Sequence, residues 1–217
     1  MNQLLLTLRF YATGSMQITA GDFSGVHQTT AGKTIKRVTK VIAANRFNHL
    51  KLHLSPIKQQ QNQTGFYSIA RFLCVYGALD YTHIRLQSPG GQNYRNRKGY
   101  FSSNVQAVCT SNLNFLDVAS KFASIAVPVK TFVLSININK HPVIVIKSLY
   151  FTRTTKPTVH SVSSTTNNES HIRTRSCIER RFGIWKRRFP VLSIGMRVNL
   201  ELVQDIIVAC TFCIIYA

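Results

Sequence analysis

Residues 74–79 read Cys-Val-Tyr-Gly-Ala-Leu, a run apolar at both alternating sets of positions, and Asp80 follows it directly. Cys74, Tyr76 and Ala78 fall on one face of an extended chain and Val75, Gly77 and Leu79 on the other, which leaves no face for water. Such a strand belongs inside a sheet covered on both sides, so the pattern points to an α/β architecture with flanking helices. The apolar run ends the strand on Asp80. A carboxylate at the end of a buried strand needs a cation or several hydrogen bonds to offset its desolvation.

Helices to cover the sheet are legible at both ends of the chain. Ile178, Phe182, Trp185 and Phe189 recur at helical spacing, and Pro190 closes that element. On an adjoining face His171, Arg175 and Glu179 follow one another four apart. Taken alone, Glu179 is accounted for by an ion pair with Arg175, worth about 0.3 kcal/mol on an exposed helix. Near the N-terminus Leu5, Leu8 and Phe10 open one apolar stripe, and Ile35, Val38, Val41 and Ile42 form another. The segment joining them reads as a helix-turn-helix, with Gly25 at the turn and Lys33, Lys36, Arg37 and Lys40 on the second helix. A helical hairpin packed on a larger core fits the same pattern. The Ala-Gly-Lys-Thr at 31–34 is not a phosphate-binding loop, because His27 stands where the first glycine is required.

Between these ends the organisation alternates. Residues 49–63 turn polar, with Pro56 and a glutamine run at 59–61, and read as a linker extending to residue 65. After the buried strand, Ser-Pro-Gly-Gly at 88–91 marks a turn, and the segments 94–109 and 113–118 complete an antiparallel meander. The loop from Tyr94 to Tyr100 mixes Arg95, Arg97 and Lys98 with tyrosines, a composition suited either to a nucleic-acid backbone or to a solvated hairpin tip. Residues 131–139 and 143–146 alternate as strands do, and 161–168 read as a polar loop.

Charge narrows the partners. Twenty-seven Lys and Arg face seven Asp and Glu, for a formal net charge of +20 and a pI near 10.4. Such a field attracts polyanions, nucleic acid foremost and an anionic membrane surface second. A hydrophobic fraction of 45% argues for a folded chain over a basic tail. The start lacks a basic segment ahead of a long apolar run, and the apolar end from Ile206 is shorter than the roughly 20 residues that span a bilayer, so neither secretion nor spanning is expected. Five cysteines, odd in number with the first three scattered, suit a reduced compartment, and the Cys210/Cys213 pair lacks a second pair to complete a zinc site. The seven acids are distributed oddly: none occurs in the 51 residues from Val118 through Asn168.

Asp80 and Glu179 gain a common meaning from the segments around them. LLLTLRFYATGSMQ with GDFSGVHQTTAGKTIKRVTKVIA, then FYSIARFLCVYGALDYTHIRLQSPGG, YRNRKGYFSSNVQAVC and LNFLDV, and finally NESHIRTRSCIERRFGIWKRRFPVLSIGMRVNLELVQDIIVAC, resemble in order the harbinger transposase-derived nuclease family. The resemblance implies a ribonuclease H-like DDE nuclease core, here an incomplete mixed sheet with flanking helices, preceded by the helix-turn-helix-like region. It divides the chain into helices over 1–48, a linker over 49–65 and an endonuclease-like domain over 66–217, with 119–167 divergent. It further implies DNA cleavage with Mg or Mn, Asp80 and Glu179 serving as catalytic metal ligands, because several carboxylates are needed to hold two divalent ions together.

The family's second aspartate lies in an Asp-x-Gly-Tyr element that this sequence lacks; Asp117 is the nearest substitute, and Tyr81 replaces the small residue after the first aspartate. The chain thus resembles a degenerate copy without the central segment, in which cleavage is expected to be impaired. The alternatives are a non-catalytic DNA-binding remnant and a decayed copy without function. For DNA contact we expect Lys33, Lys36, Arg37, Arg95, Arg97, Lys98, Arg175, Arg180, Lys186, Arg187 and Arg188, joined by Arg173, Arg181 and Arg197. A Myb-like DNA-binding partner and a nuclear location, with the cytoplasm as second choice, are implied by the resemblance, and no membrane is.

Overall fold

The computed structural model describes residues 2–45, 55–71, 75–87, 99–122, 144–146 and 164–215. Helices α1 (Gln3–Thr13), α2 (Gln17–Phe23), α3 (Gln28–Ala44) and α4 (Pro56–Ala70) precede strands β1 (Gly77–Arg85), β2 (Ser102–Cys109), β3 (Phe115–Phe122) and β4 (Ile144–Ile146), and helices α5 (Ser164–Arg188), α6 (Val191–Ile194) and α7 (Leu200–Ile215) follow. The strands form one sheet in the order β3-β2-β1-β4, with β1 antiparallel to β2, β2 antiparallel to β3, and the short β4 parallel to β1. The α/β class and the meander read from the sequence are both present.

Local chemistry sets the N-terminal helices. Asn2 caps α1 by accepting from the Leu4 N–H at 3.1 Å, and Gly14 ends it in the left-handed region at φ +62, its N–H bonded to the Phe10 carbonyl. A Cβ at Gly14 would come within 3.0 Å of the Val191 nitrogen, so the close approach of α1 to α6 needs glycine as much as the dihedral does. Gly25, at φ +64, makes the turn between α2 and α3. Of the stripe expected on α3, Ile35 is fully buried, Val38 and Ile42 are half-buried, and Val41 points outward at 61% exposure. One more residue along the helix turns it past the edge of the covered stripe.

These helices do not close a core of their own. Leu6, Phe10 and Tyr11 of α1 and Ala31 and Ile35 of α3 join one apolar cluster with Ile178, Phe182 and Trp185 of α5 and with Val203, Ile206 and Ile207 of α7. Helix α3 lies against α1, α2 and α7, while α5 lies across β1 and β2 and touches α4. The apolar C-terminal run is buried as a helix, as its sequence suggests: residues 206–211 are all covered. Among the described residues no helix is long and apolar enough to cross a membrane.

Two sequence expectations change. The expected linker over 49–65 is helix from Pro56 onward; Ser55 precedes it, proline takes the first turn where its missing N–H costs nothing, and Asn62, Phe66 and Ala70, four apart, are buried. Asn62 was hidden by its own polarity. Its amide donates to the Tyr76 carbonyl and accepts from the Ser111 N–H at 2.8 Å and hydroxyl at 3.0 Å, fixing α4 to the end of the β1–β2 pair where β1 begins and β2 finishes. Asn62→Ala leaves a buried amide N–H and a carbonyl without this partner, so urea unfolding should show a loss of about 2 kcal/mol. In addition, the polar stretch 161–168 is helical from Ser164. Of the middle strands expected, 143–146 appears as β4 and 131–139 lies outside the described residues.

Candidate metal and nucleic-acid site

Asp80 does not end its strand. It is the fourth of nine residues in β1, which continues because β2 pairs with it as far as Arg85↔Ser102. The later half alternates, Thr82 and Ile84 lying on the Asp80 face and Tyr81 and His83 on the other, so a search for continuous apolarity stops too early. Among the described residues the parallel pairing to β4 covers Gly77, Ala78 and Leu79, the three positions before Asp80. Asp80 is 3% exposed. Its Oδ1 accepts the Tyr81 N–H at 2.8 Å, and its Oδ2 accepts from Arg175 Nε at 3.3 Å.

Helix α5 brings Glu179 to the same place. Its core stripe of Ile178, Phe182, Trp185 and Phe189 is buried as the spacing predicts, and this sets the adjoining face against β1. Arg175 therefore reaches both acids: Nε bonds Asp80, while Nη2 bonds Glu179 one turn farther along the helix. The side chains of Asp80, Arg175 and Glu179 are 4%, 37% and 50% exposed, so the cluster runs from a buried end at the strand to an open end on the helix. Arg175 is accordingly not the outward DNA contact expected from the sequence. Two acceptors of opposite charge hold it, one of them in the interior.

Asp117 cannot complete a three-carboxylate site. Asp80 pairs with Ala107 and Ala107 with Val118, whereas Leu79 pairs with Val108 and Val108 with Asp117. Directly paired residues share a face of the sheet and neighbours along a strand alternate, so Asp117 lies on the face opposite Asp80. Among the described residues no three His, Cys, Asp or Glu side chains gather as a metal site. His171 lies two turns before Glu179 on α5, and desolvation lowers its pKa, which favours the neutral ring. A pair of divalent ions does not fit two carboxylates with a guanidinium between them.

The expected cationic contacts divide into inward-turned and exposed. Lys186 is turned inward: its ammonium donates to Thr82 Oγ1 at 2.6 Å and to the His83 carbonyl at 2.9 Å, and desolvation lowers its pKa. It fastens α5 to β1, because the long stem reaches across the strand that Asp80 occupies. Arg181 is 7% exposed and lies over the Phe115 ring, 4.7 Å from its centroid, with desolvation lowering its pKa. Lys33, Lys36, Lys40, Arg180, Arg187 and Arg188 are exposed, as are Arg37, whose Nη2 donates to Gln3 Oε1 at 2.5 Å, Arg173, which pairs with Glu169 at 3.8 Å, and Arg197, whose Nε donates to Gln87 Oε1. Arg95, Arg97 and Lys98 lie outside the described residues.

One group of cations converges in a way the sequence does not show. Lys33, Lys36 and Lys40 line one side of a cleft of about 310 Å³, and Arg197, Asn199 and Glu201, at the start of α7, line the other. The residues at i, i+3 and i+7 of α3 form one face, and the docking of α3 on α7 adds Arg197 from 157 residues farther along the chain than Lys40. Spacing within a helix predicts the first three, but the fourth needs the tertiary contact.

Comparison with known proteins finds relatives of the kind the resemblance named. The chain is 32% identical over 111 residues to the rat protein named "Putative nuclease HARBI1", a match covering 49% of this chain and 31% of that one. It is 29% identical over 109 residues to the human protein of that name and 26% over 116 residues to the Xenopus laevis one. The chain spans about a third of the length of these relatives. No family model matches it, and no solved structure matches it.

Proposed function

We propose that this chain, half of which is a relative of the harbinger transposase-derived nucleases, binds the DNA backbone without cleaving it. The observation that carries the reading is the double engagement of Arg175 with Asp80 and Glu179, beside exposed lysines and arginines that no acid neutralises to the same degree. The mixed sheet, with its first aspartate on an inner strand and its glutamate on a helix laid across it, supports descent from a ribonuclease H-like core. Descent and activity separate at the missing ligand.

The cleft between α3 and the start of α7 is the backbone contact we favour, since Lys33, Lys36, Lys40 and Arg197 converge there and Arg37 stands on the adjoining surface. Arg180, Arg187 and Arg188 offer further exposed cations on α5. Phosphate contacts release condensed counterions, so the reading makes a quantitative demand. Fluorescence anisotropy with a labelled duplex, in EDTA, should give a log-log salt slope of about −0.9 for each phosphate neutralised. Addition of Mg or Mn should change neither the affinity beyond ordinary ionic strength nor the integrity of supercoiled plasmid. Salt-insensitive binding defeats the proposal. Plasmid nicking that disappears in Asp80→Asn restores the nuclease reading in its place.

A further inference from the structure

We infer that the Arg175 guanidinium is the resident cation of the Asp80–Glu179 pair and holds the position a divalent ion would need. The inference goes beyond DNA binding and does not depend on it: the α3–α7 cleft can fail to bind DNA while the arginine still occupies this site.

Three observations converge. Asp80 is buried, so a carboxylate there requires a permanent counter-charge, and its Oδ2 receives Arg175 Nε at 3.3 Å. The same guanidinium bonds Glu179 through Nη2, so a single planar cation satisfies an acid on the strand and an acid on the helix. The register of the sheet puts Asp117 on the far face, which removes the remaining aspartate of this region as a competitor for the site. A divalent ion placed between Asp80 and Glu179 would meet a fixed positive charge within contact distance.

The arrangement also explains why the fold retains a buried carboxylate without a full ligand set. In a site built for metal, one more carboxylate supplies charge that the cation balances; here one guanidinium leaves the pair of acids with a single net negative charge. Glu179, half-exposed on its helix, has the freedom to swing toward Asp80 once Arg175 is removed. The two oxygens could then share one small cation, with water completing its shell.

Manganese, added to the full chain as a paramagnetic probe, tests this. In the native protein the Tyr81 amide resonance, whose N–H is bonded to Asp80 Oδ1, should stay sharp through a Mn titration. Arg175→Met should bind Mn measurably by calorimetry and lose that binding in Arg175→Met/Asp80→Asn. Broadening of the native Tyr81 amide overturns the inference, because a metal then displaces or joins the guanidinium. Absence of Mn binding by a folded Arg175→Met overturns it too, since the two acids then form no cation site. Should Arg175→Met fail to fold, the native titration still decides.

Discussion

Trp185→Ala should lower the unfolding free energy by about 3–5 kcal/mol, the loss expected when a large aromatic side chain is deleted from a close-packed core. Trp185 is fully buried on α5, its ring 5.4 Å from Phe115 in an edge-on arrangement and 6.4 Å from Phe182. Among the described residues its indole N–H has no hydrogen-bond acceptor, so its contribution there is packing. Phe115 stands at the start of β3, and Trp185 thereby joins the helix layer to the sheet at the strand farthest from β4. Loss of that joint should let α5 loosen from β1 and disturb the Arg175 bonds with it. Thermal unfolding followed by circular dichroism should show one cooperative transition in the native chain, shifted down by roughly 10 °C in the variant. A shift of a degree or less would mean that α5 is not seated on the sheet as described. A native chain with no cooperative transition would place it among decayed copies without a stable fold.

Replacing Lys33, Lys36 and Lys40 together by alanine should cut DNA affinity by two to three orders of magnitude near 0.1 M salt. Each lysine at a phosphate contributes about 0.9 to the magnitude of the log-log salt slope, so the slope should fall by about 2.7. All three side chains are exposed on one face of α3, and the buried Thr34, Ile35 and Thr39 between them are left untouched. Stability should therefore hardly change, which separates lost binding from lost folding. The fall should be similar for duplexes of different sequence, because phosphate contacts carry no base information. An unchanged slope would move the interface off the α3–α7 cleft. The α5 arginines would then be the next surface to remove.

The sequence showed the acids and the core more clearly than it showed their surroundings. Periodicity was enough for Ile178, Phe182, Trp185 and Phe189, because a buried helix face must repeat every three or four residues whatever lies against it. It was also enough for β1 to begin, since a two-sided apolar run has few other homes. The composition of β1 points to an end at Asp80 because its second half is sustained by pairing with β2, and pairing leaves no mark on the strand's own composition. Helix α4 has the composition of a linker for a related reason. Its polar residues include Asn62, whose burial depends on carbonyl and amide partners 14 and 49 residues away.

The cationic residues show the same division. Lys33, Lys36 and Lys40 were legible as a face, and they are exposed. Lys186 and Arg181 carry identical charge and were expected outside with the rest, yet one is bonded to β1 and the other stacked on Phe115. Long basic side chains have apolar stems that pack well, so charge by itself does not decide which way they point.

By itself the sequence determined the α/β class of the fold and the strongly basic field, which follow from residue identity and periodicity; it was the resemblance to the harbinger transposase-derived nucleases that implied a common site for Asp80 and Glu179. Only the tertiary structure decided that Arg175 lies between the two acids, that Asp117 faces away from them, and that Arg197 closes a cleft with three lysines of α3. Those outcomes depend on sheet register and helix docking, in which a shift of one residue or one helix face reverses what meets what.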